Sequence, residues 1–301
     1  MPSKPLSHPY QNLPSSDRWL RGNLHTHTTR SDGRREPQAV IDDYAARGYH
    51  FLMISDHDCV FEEGELTRFD SRGMVLIPGN EITSNGPHLL HVATTRLVDP
   101  YDDRQHCIQE AVKGGGFIIV NHPNWGKDFA HCPIERLESW TGYAGLEIYN
   151  GTVGRLPGSP YATDKWDRLL SLGRRVWAYA NDDSHLPKDD VGLGWNVVCA
   201  DSSDPESIVE ALRTGRFYAS TGVVIRSIEV EGGRIRLETE NAERIVAIGD
   251  HGKRLAQVDE REMVFTVPAK AGYVRFECWG RGEQFAWTQP FVRETGGRDR
   301  S

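Results

Sequence analysis

Residues 19–33 read WLRGNLHTHTTRSDG, an apolar opening followed by His25-Thr26-His27 and a polar turn that reaches Asp32. Side chains alternate along a strand, so His25 and His27 fall on one side and face a common point. Outward from this stretch, Glu36-Pro37 opens a helix carried by Ala39, Val40, Tyr44 and Ala45 to Gly48, and FLMIS (51–55) is the next apolar run. The order recurs through MVLIPGNEIT (74–83), HLLHVATT (88–95), a helix over about 101–113, FIIVNHP (117–123) and GLEIYNG (145–151). It continues through the helix TDKWDRLLSLG (163–173), VWAYANDDSH (176–185), WNVVCA (195–200) and a helix over about 205–214. Helices between nearly continuous apolar runs predict parallel strands in an α/β barrel or open sheet.

After Thr221-Gly222 the period changes. VVIRSIEV, RIRLETE, RIVAIGD, EMVFTVPA, YVRFECWG and FAWTQPFV alternate apolar and polar residues between Gly, Asn and Asp turns. They predict a small antiparallel β domain over 222–301 that ends in the polar tail ETGGRDRS, behind a barrel over 19–221. Residues 1–18, rich in Pro, Ser and Asn, read as an extended arm.

Composition narrows the function. With 301 residues the chain needs neither disulfide nor metal merely to fold. Asp plus Glu outnumber Lys plus Arg by 43 to 35, a net charge of -8 that speaks against a stable nucleic-acid partner. No apolar run approaches a membrane span, the start lacks a signal-peptide layout, and five scattered cysteines read as reduced thiols, so a cytoplasmic protein with no membrane contact is expected.

The polar residues that carry chemistry stand where strands end: His25, His27 and Asp32; Asp56, His57 and Asp58; Asn80 and Glu81; Asn121 and His122; Asp182, Asp183 and His185. In a barrel, C-terminal strand ends share one face, so these groups would meet around one pocket. Imidazole with carboxylate suits zinc, iron or manganese, and one ion takes only four to six ligands, so the set implies two or three divalent ions. Isolated histidines at 50, 106, 131 and 251 read as surface or core residues and are left out. There is no Gly-x-Ser-x-Gly elbow, no P-loop and no GxGxxG after a strand.

HTHTTRSDG, SDHD, GNEIT, NHP and DDSH, in that order, resemble the PHP (polymerase and histidinol phosphatase) family over about residues 19–221, with EIYNG, the WDRLLSLG helix and GRFYAST adding to the likeness. The resemblance implies a distorted (β/α)7 TIM-like barrel with a di- or trinuclear metal site and phosphoesterase activity. Carried over, it implies one ion at His25, His27, Glu81 and Asp183, a second sharing Glu81 with a histidine of HLLH and His122, and a third at Asp32, His57 and His185. Glu81, Asp183 and His185 are the implied catalytic groups. His88 and His91 lie on opposite faces of a strand; His88 is preferred because it follows Glu81 closely and matches the family's spacing to Ala93. Asp183 is preferred over Asp182 because the family motif is Asp-x-His, which leaves Asp182, Asp56, Asp58 and Asn121 to orient ligand imidazoles.

In such a site a water acidified between closely spaced ions attacks a phosphoester of a small or nucleotide-like substrate. Arg30, Lys127 and Arg155 are candidate phosphate contacts. Two other readings stay open: hydrolysis of a carbamate or amide by the same ions, and a metal-retaining scaffold without catalysis. The β domain reads as a cover for the barrel or a homo-oligomer contact, with Trp279 and Trp287 as exposed aromatics.

Overall fold

The structure is a computed structural model that describes residues 6–11, 19–62 and 64–293. The rest of the arm, 1–5 and 12–18, and the tail ETGGRDRS lie outside the described residues. Strands Trp19–Asn23, Phe51–Met53 and Val75–Ile77 lie side by side in parallel. Helix Pro37–Ala46, with Pro37 in its first turn, buries Val40, Ile41 and Tyr44 against Leu52, Ile54 and Met74. Five further strands, Gly79–Ile82, Leu89–Val92, Phe117–Val120, Gly145–Asn150 and Trp177–Asn181, form a second sheet. Helices Arg104–Lys113, Ile134–Ser139 and Thr163–Ser171 pack against that sheet through Ile108, Leu137, Trp166 and Leu169.

The closed parallel barrel expected from the sequence is not what the strand ladders form. Among the described residues the pairing is mixed α/β in separate sheets, without closure. Gly79–Ile82 pairs antiparallel with Leu89–Val92, and Leu89–Val92 antiparallel with Phe117–Val120. The link 83–88 is too short for a crossover, which takes a dozen or more residues. Pro78, with no N–H to give a ladder, separates Val75–Ile77 from Gly79–Ile82, and the isolated bridges Thr26–Ser184 and His57–Glu81 join segments that extend from the two sheets. Trp195–Cys199 is also antiparallel to both neighbours, Trp19–Asn23 and Phe217–Ser220.

The strands after 222 pair antiparallel, as their period of two requires. Ile225–Glu231, Arg234–Thr239 and Glu262–Thr266 form a three-stranded sheet. The remainder is continuous with the large sheet, because Phe285–Thr288 pairs with Phe217–Ser220. Leu6–Ser7 in the arm pairs with Phe291–Arg293. Arg275, almost wholly buried, grips Asp167 of helix Thr163–Ser171 through two bonds of 2.7 Å, and Tyr273 donates to the same carboxylate at 2.8 Å. Such a pair costs desolvation that only good geometry offsets, and the fork on the carboxylate supplies it. Trp287, expected at the surface, is 2% exposed, and Trp279 carries Arg244 and Arg254 beside its ring. Among the described residues no helix is long and apolar enough to cross a membrane, and no disulfide joins any two of the cysteines.

Candidate metal centre

The strand from Trp19 continues as a ribbon whose carbonyls and amides position three segments at once. Asp183 N–H donates to His25 C=O at 2.9 Å, His27 N–H to Ser184 C=O at 2.8 Å, and Ser55 N–H to Thr26 C=O at 2.8 Å. HTHTT, SDHD and DDSH are thereby fixed against one another. Asp183 (φ 56°) and His122 (φ 25°) have positive φ, which turns their side chains out of strand register; aspartate and histidine are among the few side chains that tolerate it.

Nine side chains meet in the result. Glu81, wholly buried, stands between the imidazoles: its Oε1 is 3.2 Å from His25 Nε2, 3.2 Å from His88 Nδ1 and 3.3 Å from His122 Nε2, and its Oε2 is 2.8 Å from His57 Nδ1. Asp183 Oδ1 lies 3.1 Å from both His25 Nε2 and His27 Nε2 and 3.6 Å from His185 Nδ1. Asp32 Oδ1 lies 3.2 Å from His57 Nε2 and 3.3 Å from His185 Nε2. Atoms bound to one ion at about 2.0–2.2 Å stand about 2.8–3.6 Å apart along the edges of an octahedron or tetrahedron. The observed separations are of that length, and His25 Nε2 and Glu81 Oε2 are buried with no hydrogen bond of good geometry. Buried atoms that converge on one point and are left without a good hydrogen bond fit cations. Four groupings bring donors within reach of one ion: His25, His27, Glu81; His25, His122, Asp183; His27, Asp32, His57, His185; and His88, His122, His131.

Electrostatics point the same way. Burial opposes charge on His25, His57, His185, Glu81, Asp183 and Asp32. Even so, Asp183, Glu147 and Glu81 hold His25 well above the ordinary imidazole value, and Asp32 and Glu81 raise His57 to about 10. The imidazoles in turn hold Glu81 and Asp183 below the usual carboxylate range, and hydrogen bonds from His185 and His57 do so for Asp32. His27, where burial prevails, is lowered. In the metal-free protein, protons supply the positive charge that ions would supply.

Two residues escaped the sequence reading. Glu147, in the middle of Gly145–Asn150, accepts from His25 Nδ1 at 2.8 Å, from Asn181 at 2.8 Å, and from Asn150 and the His122 amide at 2.9 Å. Its carboxylate is saturated with donors, so it leaves His25 Nε2 directed at the centre, the role a carboxylate plays behind a ligand imidazole. An acid inside a buried apolar strand was the available signal. His131, set aside as a bystander, sits with its ring 4.5 Å from that of His88 and 4.8 Å from that of His122, and its Nε2 accepts the His88 N–H at 2.9 Å. Burial with two histidine neighbours lowers it to about 2, so it is neutral. Only the loop fold of 123–133 brings it there, which no local pattern records.

The other expectations divide. His88 faces Glu81, whereas His91 lies against Gly116, where burial lowers it to about 4. His88→Ala is therefore expected to lose an ion and His91→Ala to keep the full complement, by elemental analysis of the purified variants; the reverse would transfer the role to His91. Asp182 points away from the centre, accepting from Asn23, Tyr44 and the amides of Gly192, Leu193 and Gly194. Asp56 holds Thr28 and Ser31, Asp58 holds Thr83 and Ser84, and Asn121 donates to Glu81. These four brace backbone or Glu81; none bonds a ligand imidazole, contrary to expectation. Of the cations, Arg30 is tied to Glu65, Arg155 to Asp190, and no Lys or Arg among the described residues lines the cleft over the centre.

No protein-family model matches the chain. Over 71 residues, 23% of the chain, it is 38% identical to the 3′,5′-nucleoside bisphosphate phosphatase of Chromobacterium violaceum, and the match spans 25% of that relative's length. In fold it is similar to a two-domain protein from Bacteroides vulgatus containing a predicted PHP-like metal-dependent phosphoesterase, with a TM-score of 0.56 at 16% identity over 95% of this chain and 90% of that one. The PHP resemblance read from the motifs thus holds at the level of the fold.

Proposed function

We propose that the chain is a PHP-type hydrolase that cleaves a phosphoester of a small substrate with two or three divalent ions, zinc, manganese or iron. The observation that carries this reading is the convergence of acids and imidazoles at ion-edge distances around Glu81 and Asp183. The curated relative's activity and the shared fold support it. We assign His25, His27, Glu81 and Asp183 to one ion, Glu81, His88 and His122 to a second, and Asp32, His57 and His185 to a third. Bound there, the ions would supply Lewis acidity, acidifying a water and neutralising charge on the phosphoryl oxygens. Glu81 joins two of these sets, Asp183 fixes the spacing of His25 and His27, and Glu147 keeps the His25 tautomer. The chemistry is assigned to residues 19–221; the described part of 222–301 adds no ligand cluster. Unbridged thiols favour a reducing compartment such as the cytoplasm.

A cleft lined by no Arg or Lys among the described residues also suits an uncharged carbamate or amide, and one experiment separates the readings. Protein grown with supplemented metals should carry at least two equivalents and turn over p-nitrophenyl phosphate or its bis-ester, with EDTA abolishing the rate. Less than one equivalent would sink the metal centre, and turnover of carbamates alone would replace the phosphoester.

A further inference from the structure

The cleft has a wall that hydrolysis itself does not call on. Trp125, Val153 and Leu156 line it, and Leu156 stays 42% exposed although large and apolar. This wall is built, not loose. Gly126 N–H donates to Pro157 C=O at 2.8 Å and Ser159 N–H to Asn124 C=O at 3.0 Å, lacing together the loops that follow Phe117–Val120 and Gly145–Asn150. Gly158 (φ 123°) closes the seam, since a Cβ there would lie 2.4 Å from the Asn124 carbonyl oxygen. The Trp125 ring stands 5.6 Å from His88 and 5.3 Å from His122, so an apolar face adjoins the carboxylate and imidazole floor. On the floor side, the positively charged side chains are spent: Arg155 on Asp190 and Thr152, Arg30 on Glu65 with its guanidinium over the Phe61 ring.

We propose that this site selects esters with one phosphoryl group and a flat aromatic alcohol, the phosphoryl end toward the floor and the ring against Trp125, Val153 and Leu156. The proposal rests on the phosphoester reading above. In the reaction the oxygen of water bonds to phosphorus, the bond from phosphorus to the ester oxygen breaks, and one proton of the water ends on the released alcohol. A second phosphate, such as 3′,5′-nucleoside bisphosphates carry, would find no Lys or Arg among the described residues lining the cleft.

Benzyl phosphate and glycerol 1-phosphate release alcohols of similar acidity, so their comparison on the metal-loaded full chain isolates recognition. The expected result is at least a tenfold higher kcat/KM for the benzyl ester, with that ratio shrinking at least fivefold in both Trp125→Ala and Leu156→Ala. Leu156 is exposed enough that its replacement leaves folding intact. Binding gives a readout independent of turnover: phenylphosphonate should bind at least tenfold more tightly than methylphosphonate by calorimetry, and less selectively in both variants. Equal binding of the two phosphonates, or variants that keep the ratio, would overturn the proposal. If phenylphosphonate is favoured while no phosphoester turns over, the ring subsite stands and the phosphoester reading fails. A nucleoside 5′-monophosphate should be used at least as well as the 3′,5′-bisphosphate, and a tenfold preference for the bisphosphate would overturn the single-phosphoryl part.

Discussion

Asp183→Asn is expected to lower kcat/KM by roughly a thousandfold, the scale seen when one preorganised charge-stabilising group is lost from an active site. The substitution keeps size and backbone. Asparagine tolerates the left-handed conformation found at φ 56°, and its amide can still meet Asn150, now 3.2 Å from Asp183 Oδ2. What disappears is the anion 3.1 Å from His25 and His27. Metal content should fall by about one equivalent, while the melting temperature of the metal-free protein should move little. Asp182→Asn should behave otherwise: it weakens the acceptor for the Gly192, Leu193 and Gly194 amides and should lower stability at any metal content. Normal turnover in Asp183→Asn with none in Asp182→Asn would move the ligand role by one residue.

The second large effect is a pH dependence of opposite sign in the two forms of the protein. In the metal-free chain His57 is raised to about 10 by Asp32 and Glu81 against the pull of burial. A raised base stabilises fully below its unfolded value of about 6.5 and loses that contribution as pH climbs through the folded value, so metal-free protein should melt progressively lower between about pH 6.5 and 10. Ions require neutral imidazoles, so affinity should rise over the same window as protons leave His57, His185 and His25, all of which are raised. Calorimetric titration at pH 8 in buffers of different protonation heats should show at least one proton released per chain on loading. A metal-free melting temperature that climbs with pH, or loading without proton release, would contradict the ligand set.

How much of this was legible in sequence follows from the range of each signal. HTH, SDHD, GNE, NHP and DDSH are local, and His25, His27, His57, Glu81, His122, Asp183 and His185 within them do meet, while Asp56, Asp58 and Asp182 do not join them. The period of two after 222 is local as well, and those strands are antiparallel. Strand direction is not local: FIIV is apolar throughout and LLHV apolar but for His91 whether their neighbours run with or against them, so the run from 79 to 120 looked parallel. Link length held the missing clue, six residues between Ile82 and Leu89. Glu147 was visible as an acid in an apolar strand, but its partners come from three other segments. His131 was a single histidine whose meaning lies in the path of a loop.

The mixed pairing also orders events in time as the chain is made. Strand Trp19–Asn23, which leads into His25, has Trp195–Cys199 as one flanking partner, 172 residues later, and His27 hangs from Ser184. At about 5–20 residues per second, roughly ten to thirty-five seconds of synthesis separate the first donors from the strand that seats them. During that interval His25, His27 and His57 exist without Asp183 or His185, as a loose imidazole set that would favour whichever late first-row ion it met. The carboxylates that make the site hospitable to harder ions arrive early with Glu81 and late with Asp183. The donors that would choose an ion are therefore complete only once Trp195–Cys199, about two thirds of the way along the 301 residues, has been made.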